Sequence, residues 1–372
     1  MSTQLLVNGK EAFPLIINRI QNAKKEIIIS MFIWRDDDIG NRIIEELIHA
    51  ADKGVNVRII KDKVGSIFEK EEENKRSFFH KDFNLKTYIS QKVLSFLYFD
   101  YLDTCTNKIQ NPRLLKMLNN PKISLDISKL KHDHSKYYLI DNRYLVLGGI
   151  NIEDKELLFD KKNRKYSDYM VEIQGASEIE QFKAALVNSN LNNYSNSGAF
   201  YVNNRQLKIF EIKKKILELF DRANISIDIE MAYWGDKDIS EKIIEVANKG
   251  ISISIITSKD ANLQNDYNMK VIENILKRTN HAVKVYLSDR MVHSKLLCID
   301  KKSIFLGSAN FNVQCLTKLS ELNVLVENDM GVIKKWLDSR TKHLKECRLI
   351  KDYQELKYNK VLALVEGIVS YI

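Results

Sequence analysis

The sequence predicts an α/β fold made of two pseudo-symmetric α/β/α halves packed with one active site between them, and three observations carry that expectation. The spacing His-x-Lys-x4-Asp occurs twice, at His134, Lys136 and Asp141 and again at His293, Lys295 and Asp300, 159 residues apart. Each copy continues at matching offsets into small residues and an Asn: Gly148, Gly149 and Asn151 in the first, Gly307, Ser308 and Asn310 in the second. Upstream, Met31, Trp34, Asp36, Asp38 and Ile39 recur 200 positions later as Met231, Trp234, Asp236, Asp238 and Ile239. Self-similarity at fixed offsets marks a duplicated unit.

Taken in order, "IIISMFIWRDDDIGNRIIEELIHAADKGVNVRII" reads as strand, turn, amphipathic helix, Gly cap and strand, and "SIDIEMAYWGDKDISEKIIEVANKGISISII" answers it. Both blocks are βαβ units, for which a right-handed crossover is expected. The helix of the second copy is shorter by four residues, about one turn. Further on, Tyr137 to Ile140 and Leu296 to Ile299 are β-branched, aromatic or aliphatic runs that read as strands carrying the His-x-Lys motif.

Positions i and i+2 of a strand share a face and lie roughly 7 Å apart, so each His and Lys can reach one tetrahedral anion. Two such strands face to face supply two imidazoles, two ammoniums and two Asn amides, a set suited to phosphoryl transfer. One imidazole must be neutral to attack phosphorus and the other protonated to serve the leaving oxygen, and His does both near neutral pH. Fixed charge on Lys136 and Lys295 meets the developing charge on the non-bridging oxygens. With Asn151, Ser308 and Asn310 these lysines form the candidate phosphate-binding set. The scattered Cys and His lack zinc spacing and no acidic cluster suggests magnesium, so no metal and no cofactor are expected.

These residues resemble the signature of the phospholipase D superfamily, a duplicated His-x-Lys-x4-Asp with a Gly-Gly/Ser-x-Asn extension. The stretch "MFIWRDDDIG", then "ADKGVNVRIIKDKVGS", is similar to the opening of bacterial cardiolipin synthases, and the likeness runs from about residue 10 to about 345. The resemblance implies His134 as nucleophile, forming a phosphohistidine, and His293 as general acid and later base. It also implies an acidic residue from each half that orients the opposite His. Asp168, in "RKYSDYMVEIQG", and Glu321, in "SELNVLVEN", are the candidates. A carboxylate beside an imidazole stabilises the charged form and raises its pKa. Asp141 and Asp300 complete the catalytic candidates as motif members, although bracing the strand turn is their better reading. Ser135 and Ser294 are expected to pack away from the pocket, and His132 to sit at its rim.

With 372 residues, 44% hydrophobic and 29% charged, the chain can bury a large core and has room for two domains. The expected division is 1–190, with an insertion at 62–131, and 200–372, with C-terminal helices; the join is the polar "NSNLNNYSNSGAF", residues 188–200. The insertion holds a charged run, "FEKEEENKR", and an aromatic-rich stretch, and reads as an apolar lid for acyl chains or as a helical excursion packed on the sheet. Four Cys without disulfide or CxxC spacing suggest a reduced compartment. The N-terminus lacks the pattern of a signal peptide and no stretch of about 18 apolar residues exists, so a cytoplasmic protein, peripheral on a membrane, is expected. The final "VLALVEGIVSYI" suits either a bilayer surface or a packed terminal helix.

A net charge of +9 favours an anionic partner, an acidic membrane surface or nucleic acid. Three function classes follow in order: a phosphatidyltransferase or phospholipase on glycerophospholipid, with cardiolipin synthesis as its sharpest form; a nucleic-acid phosphodiesterase using the same site; and a non-catalytic scaffold, against which the intact motifs argue. Aromatics clustered with aliphatics, and not interleaved with Arg, weigh against a strand-binding groove. Duplicated halves make a monomer sufficient for a complete site.

Overall fold

The structure, a computed structural model, describes residues 2–62, 65, 111–126, 132–157, 164–187 and 199–371. Its first sheet is built from β1 (Ser2–Val7), β2 (Glu26–Met31), β3 (Asn56–Lys61), β4 (Ile123–Asp126), β5 (Tyr137–Ile140), β6 (Tyr144–Gly148) and β8 (Tyr169–Gln174), in the order β1-β8-β6-β5-β2-β3-β4. Its second uses β9 (Ala199–Asn204), β10 (Ile209–Phe210), β11 (Ser226–Met231), β12 (Ser252–Ser258), β13 (Lys284–Ser288), β15 (Lys295–Ile299), β16 (Ser303–Gly307), β17 (Glu321–Glu327) and β18 (Cys347–Ile350). Stripped of β10 and β18 at its edges, the second order, β9-β17-β16-β15-β11-β12-β13, repeats the first strand for strand. A short parallel ladder of β7 (Tyr166–Ser167) and β14 (Met291–Val292) joins the halves.

Each βαβ block forms as its pattern predicts. Strand β2 pairs parallel with β3 and β11 parallel with β12, joined by the helices Asp38–Asp52 and Lys237–Asn248. Asp37 caps the first by accepting from Gly40 N, and Asp236 the second by accepting from Ile239 N, each cap contributing ~1 kcal/mol. Gly54 and Gly250 close the helices with φ of +95° and +93°, a region that costs a residue with a Cβ more than it costs Gly. The repeated Trp34 and Trp234 are fully buried and pair with Ile152 and Phe311, just beyond Asn151 and Asn310. The block therefore recurs because it anchors the turn that carries each Asn.

Alternation along the motif strands explains the packing. Tyr138 and Ile140 face the first half's own core, whereas Tyr137 and Leu139 face a core shared between the sheets. In β15, Leu297 and Ile299 face the second half's core while Leu296 and Cys298 enter the shared one. Both faces are thus buried, which is why these strands are apolar throughout. The helices Ala176–Val187 and Met330–Leu344 flank the shared core through Phe182 and Trp336.

The insertion is narrower than the sequence suggests. The helix Pro112–Leu118 and β4 are counterparts of the helix Asn265–Arg278 and β13, because β4 pairs parallel with β3 as β13 does with β12. Residues 111–126 therefore belong to the repeat. The charged run, the aromatic-rich stretch and most of the 188–200 join lie outside the described residues. Among the described residues, no helix is long and apolar enough to cross a membrane, and Cys298, Cys315 and Cys347 are free.

Candidate active site

Two backbone pairings of the same form assemble the site. Val292, just before His293, pairs with Ser167, just before Asp168. Asp133, just before His134, pairs with Ser320, just before Glu321. In each case an extended segment of one half lies parallel to one from the other, so the next residues along meet side by side. His134 N donates to Ser320 O at 2.8 Å and His293 N to Ser167 O at 2.9 Å. The motif accordingly starts ahead of its strand in both halves: β5 begins at Tyr137 and β15 at Lys295. Lys295 still reaches the ring of its histidine, with Nζ 3.1 Å from His293 Nδ1, and each lysine bonds back to the carbonyl two residues earlier, Lys136 Nζ to His134 O at 2.6 Å and Lys295 Nζ to His293 O.

The crossed pairs are unequal. His134 Nδ1 lies 3.0 and 3.1 Å from the two carboxylate oxygens of Glu321. His293 Nδ1 lies 2.8 Å from Asp168 Oδ2 and 3.7 Å from Glu156 Oε1, with Lys295 Nζ 3.7 Å from the same Asp168 oxygen. Glu321 receives the Ser308 hydroxyl, which also accepts from Leu322 N at 3.0 Å. At the equivalent place the first half has Gly149, where a Cβ would stand 2.4 Å from Asp168 Oδ2. A shorter acid against a bare glycine replaces a longer acid against a serine. Ser308, expected on the phosphate, instead braces Glu321 and is wholly buried.

Burial sets the protonation. It holds His134 below the ordinary imidazole value, with Lys136 adding to it against the opposing pull of Glu321. His293 is held well below, by burial and then by Lys295 and Lys136. Glu321 does pull His134 upward, by its charge and by its hydrogen bond, but desolvation of the charged form outweighs that pull. Lys136 is pushed down to about 8, chiefly by burial. Burial also raises Glu321, but His134 and Lys136 outweigh it and hold this carboxylate below its ordinary range. Asp168 is pushed up to about 6 by burial, and Glu156 well above the carboxylate range by burial and by Asp168.

Other candidates fall on both sides of the line. Asn151 and Asn310 are buried; Asn151 Oδ1 accepts from Ile33 N at 3.4 Å, and Asn310 Nδ2 donates to Cys315 Sγ at 3.6 Å while its Oδ1 has no partner among the described residues. Asp141 and Asp300 are not brought to the histidines. They sit at the far ends of β5 and β15 with φ of +52°, where Asp141 accepts from the backbone N–H groups of Lys24, Lys25 and Glu26 and Asp300 from those of Asn224, Ile225 and Ser226. Three donors occupy each carboxylate, so both are scaffold. Ser135 and Ser294 are buried, the first donating to Asp133. His132, half-buried, turns the chain at φ +52° before the motif.

Sequence reasoning missed Glu156, Phe32, Tyr166, Tyr233 and Cys315. Phe32 meets the His134 ring edge-on at 4.6 Å, and Tyr166 and Tyr233 lie 5.9 and 6.5 Å from that of His293. Phe32 and Tyr233 stood within the repeated Met-x-x-Trp blocks, so the repeat was their signal; Glu156 and Cys315 lie at the motif's own offset of 159 residues, five beyond each Asn, but as unlike residue types. Among the described residues, ligand atoms of His134, Cys315 and Glu321, and of Glu156, Asp168 and His293, lie within 4.8 Å of one another in each trio and could hold a metal.

A family model described as "Cardiolipin synthase, PLD-like domain" matches residues 16–188 and 216–344. A cardiolipin synthase of Clostridium perfringens is 24% identical over 92% of this chain and 70% of its own length, and cardiolipin synthase B of Escherichia coli is 23% identical over 87% and 76%. The crystal structure of a phosphatidylserine synthase from Haemophilus influenzae superposes with a TM-score of 0.71 at 14% identity, over 100% of this chain and 95% of that one. With both motifs intact and the halves folded alike around them, the chain belongs to the cardiolipin synthase, PLD-like domain family and is an enzyme of the phospholipase D superfamily.

Proposed function

We infer that the protein cleaves a glycerophospholipid phosphodiester by way of a phosphohistidine and passes the phosphatidyl group to an alcohol, as a cardiolipin synthase does with phosphatidylglycerol. The observation that carries this reading is the inequality of the crossed pairs. Glu321, kept ionised, accepts a hydrogen bond from the Nδ1–H of His134, which fixes the proton there and leaves the Nε2 lone pair fit to attack phosphorus. Across the site Asp168 Oδ2, 2.8 Å from His293 Nδ1, orients the imidazole that serves the leaving oxygen. Lys136 and Lys295 flank both, each depressing its neighbours' affinity for protons. A phosphodiester anion between the lysines offsets their charge and raises both imidazoles, so the acid form of His293 is favoured once substrate is present.

In the first step His134 Nε2 bonds to phosphorus, the bond to the leaving alkoxide breaks, and His293 delivers its proton to that oxygen. In the second His293 takes the proton of an acceptor hydroxyl, whose oxygen displaces His134 from phosphorus. The lysine ammoniums and the Asn151 and Asn310 amides serve the non-bridging oxygens, preorganised charge that needs no rearrangement as the transition state forms. Support for a lipid substrate comes from the relatives named cardiolipin synthase; a monomer peripheral on a membrane fits the same reading, since both crossed pairs are made within one chain.

The test incubates purified protein with labelled phosphatidylglycerol vesicles and, separately, with single-stranded DNA. Cardiolipin with released glycerol is the expected product. Phosphatidic acid alone makes the enzyme a hydrolase, and cleavage of DNA without lipid turnover overturns the reading in favour of a nuclease.

A further inference from the structure

The helix Lys360–Tyr371 is packed inside out. Its inward face is small: Ala363, Gly367 and Ser370 are buried at a spacing of four and then three residues, and a Cβ at Gly367 would stand 2.9 Å from the Tyr267 ring. Its large apolar side chains point outward, with Val361 70%, Leu362 50%, Leu364 56%, Val365 44% and Ile368 56% exposed. A surface helix of a globular protein turns its wide apolar stripe toward the core, and a contiguous exposed patch of this kind marks an interaction face.

The helix is nonetheless well anchored. Asn359 N donates to Asp266 Oδ1 at 2.6 Å, Tyr267 N donates to Glu366 Oε2 at 2.8 Å, and Asn359 Oδ1 caps the first turn through Val361 N and Leu362 N. It rests on the helix Asn265–Arg278 and on the short helix Val313–Thr317. The second of these carries Cys315 against Asn310, so the apolar face lies one helix away from the phosphate-binding side of the site.

We propose that this face docks the protein on an anionic phospholipid bilayer, with Val361, Leu364, Val365 and Ile368 in the acyl boundary and Lys357 and Lys360 at the headgroups. Charge selects this occupant. Both lysines are exposed beside the patch, the one acid on the helix, Glu366, is engaged inward, and the chain carries a net +9. A second copy would bring the same positive charge to the patch, whereas an anionic surface complements it. Because Ala363, Gly367 and Ser370 are packed against the protein along the helix, only its outer face is offered to a bilayer, as in a helix lying in the interface plane. The inference rests on the reading of a membrane phospholipid as substrate.

The double variant Leu364→Asp, Ile368→Asp changes only outward positions, and unchanged thermal unfolding verifies its fold. Wild type should sediment with phosphatidylglycerol vesicles and at least tenfold less with phosphatidylcholine vesicles, and the variant should lose the first interaction while keeping its turnover of a soluble aryl phosphodiester. Vesicle binding equal to wild type in the variant, or none in wild type, overturns the proposal. So does a wild-type dimer that the variant dissolves without any change on vesicles, which makes a second copy the occupant. Helix-dependent binding without lipid cleavage sinks the functional reading and leaves the docking face standing; lipid cleavage with helix-independent binding does the reverse.

Discussion

His134 Nδ1 lies within 3.1 Å of both carboxylate oxygens of Glu321, a residue 187 positions later in the chain and in the opposite half. That contact gives the two histidines different partners and so different work. In His293→Asn, an aryl phosphodiester whose leaving group needs no acid should still phosphorylate His134, and the adduct should accumulate because nothing activates the acceptor. Turnover should fall by about 10²–10⁴. His134→Asn should show no adduct by phosphohistidine analysis, and a stable adduct there reverses the two roles.

The unequal supports predict unequal mutants. Gly149→Ala puts a methyl where the Asp168 carboxylate now lies, which should displace Asp168 from His293 and lower kcat about a hundredfold or more. Gly149→Ser, although it copies the second half, should do the same. Ser308→Ala removes only the hydroxyl that braces Glu321, and a loss nearer tenfold is expected. Equal losses in the two halves would mean that Asp168 has room to move.

Lys136 trades stability for function. Its folded pKa of about 8, against the ordinary 10.5, means that the unfolded chain holds more protons between those values. Stability therefore rises as pH climbs through that window and is lowered by the buried charge at pH 7. Lys136→Met should unfold at higher urea than wild type at pH 7, by on the order of 1–3 kcal/mol, with the gain shrinking near pH 10 and activity lost at both. Lower stability of the variant at pH 7 would contradict this account.

Asp141 and Asp300 should behave as structural residues. Each carboxylate holds three backbone N–H groups at the entrance to β2 or β11, and replacement by Ala should cost about 1.5–3 kcal/mol while kcat per folded molecule stays near wild type. Burial raises Asp300, but its three backbone donors together outweigh that effect and hold the carboxylate below its ordinary value. Its contribution is thus present above the ordinary Asp range and fades as pH drops through the folded value. A collapse of kcat with unchanged stability would return them to the catalytic set.

Much of the site was legible because duplication writes it twice. A histidine and lysine two apart, repeated with Gly and Asn in register, identify themselves without coordinates, and the Met-x-x-Trp blocks proved to be the anchors of the Asn turns. Glu156 and Cys315 were not legible: they stand 159 residues apart, at equivalent positions of the two copies, but as unlike residue types they leave no repeated pattern, and each matters only through what it faces. Residues 111–126 were misassigned to an insertion because a seven-residue helix and a four-residue strand are too short to show a period.

By itself the sequence determined the duplicated α/β halves and the two His-x-Lys pairs, since periodicity and repetition report which residue types recur and which face they share, while Asp168 and Glu321 were named only through the family resemblance. Only the tertiary structure decided the inequality of the pairs, the scaffolding role of Asp141, Asp300 and Ser308, the lowered imidazoles and the outward apolar face of Lys360–Tyr371. The physical reason is that desolvation and steric fit are set by atoms from distant segments. Asp168 is shaped by Gly149 and Glu156, and His134 by Glu321, and no local pattern in a chain records what will be packed against it.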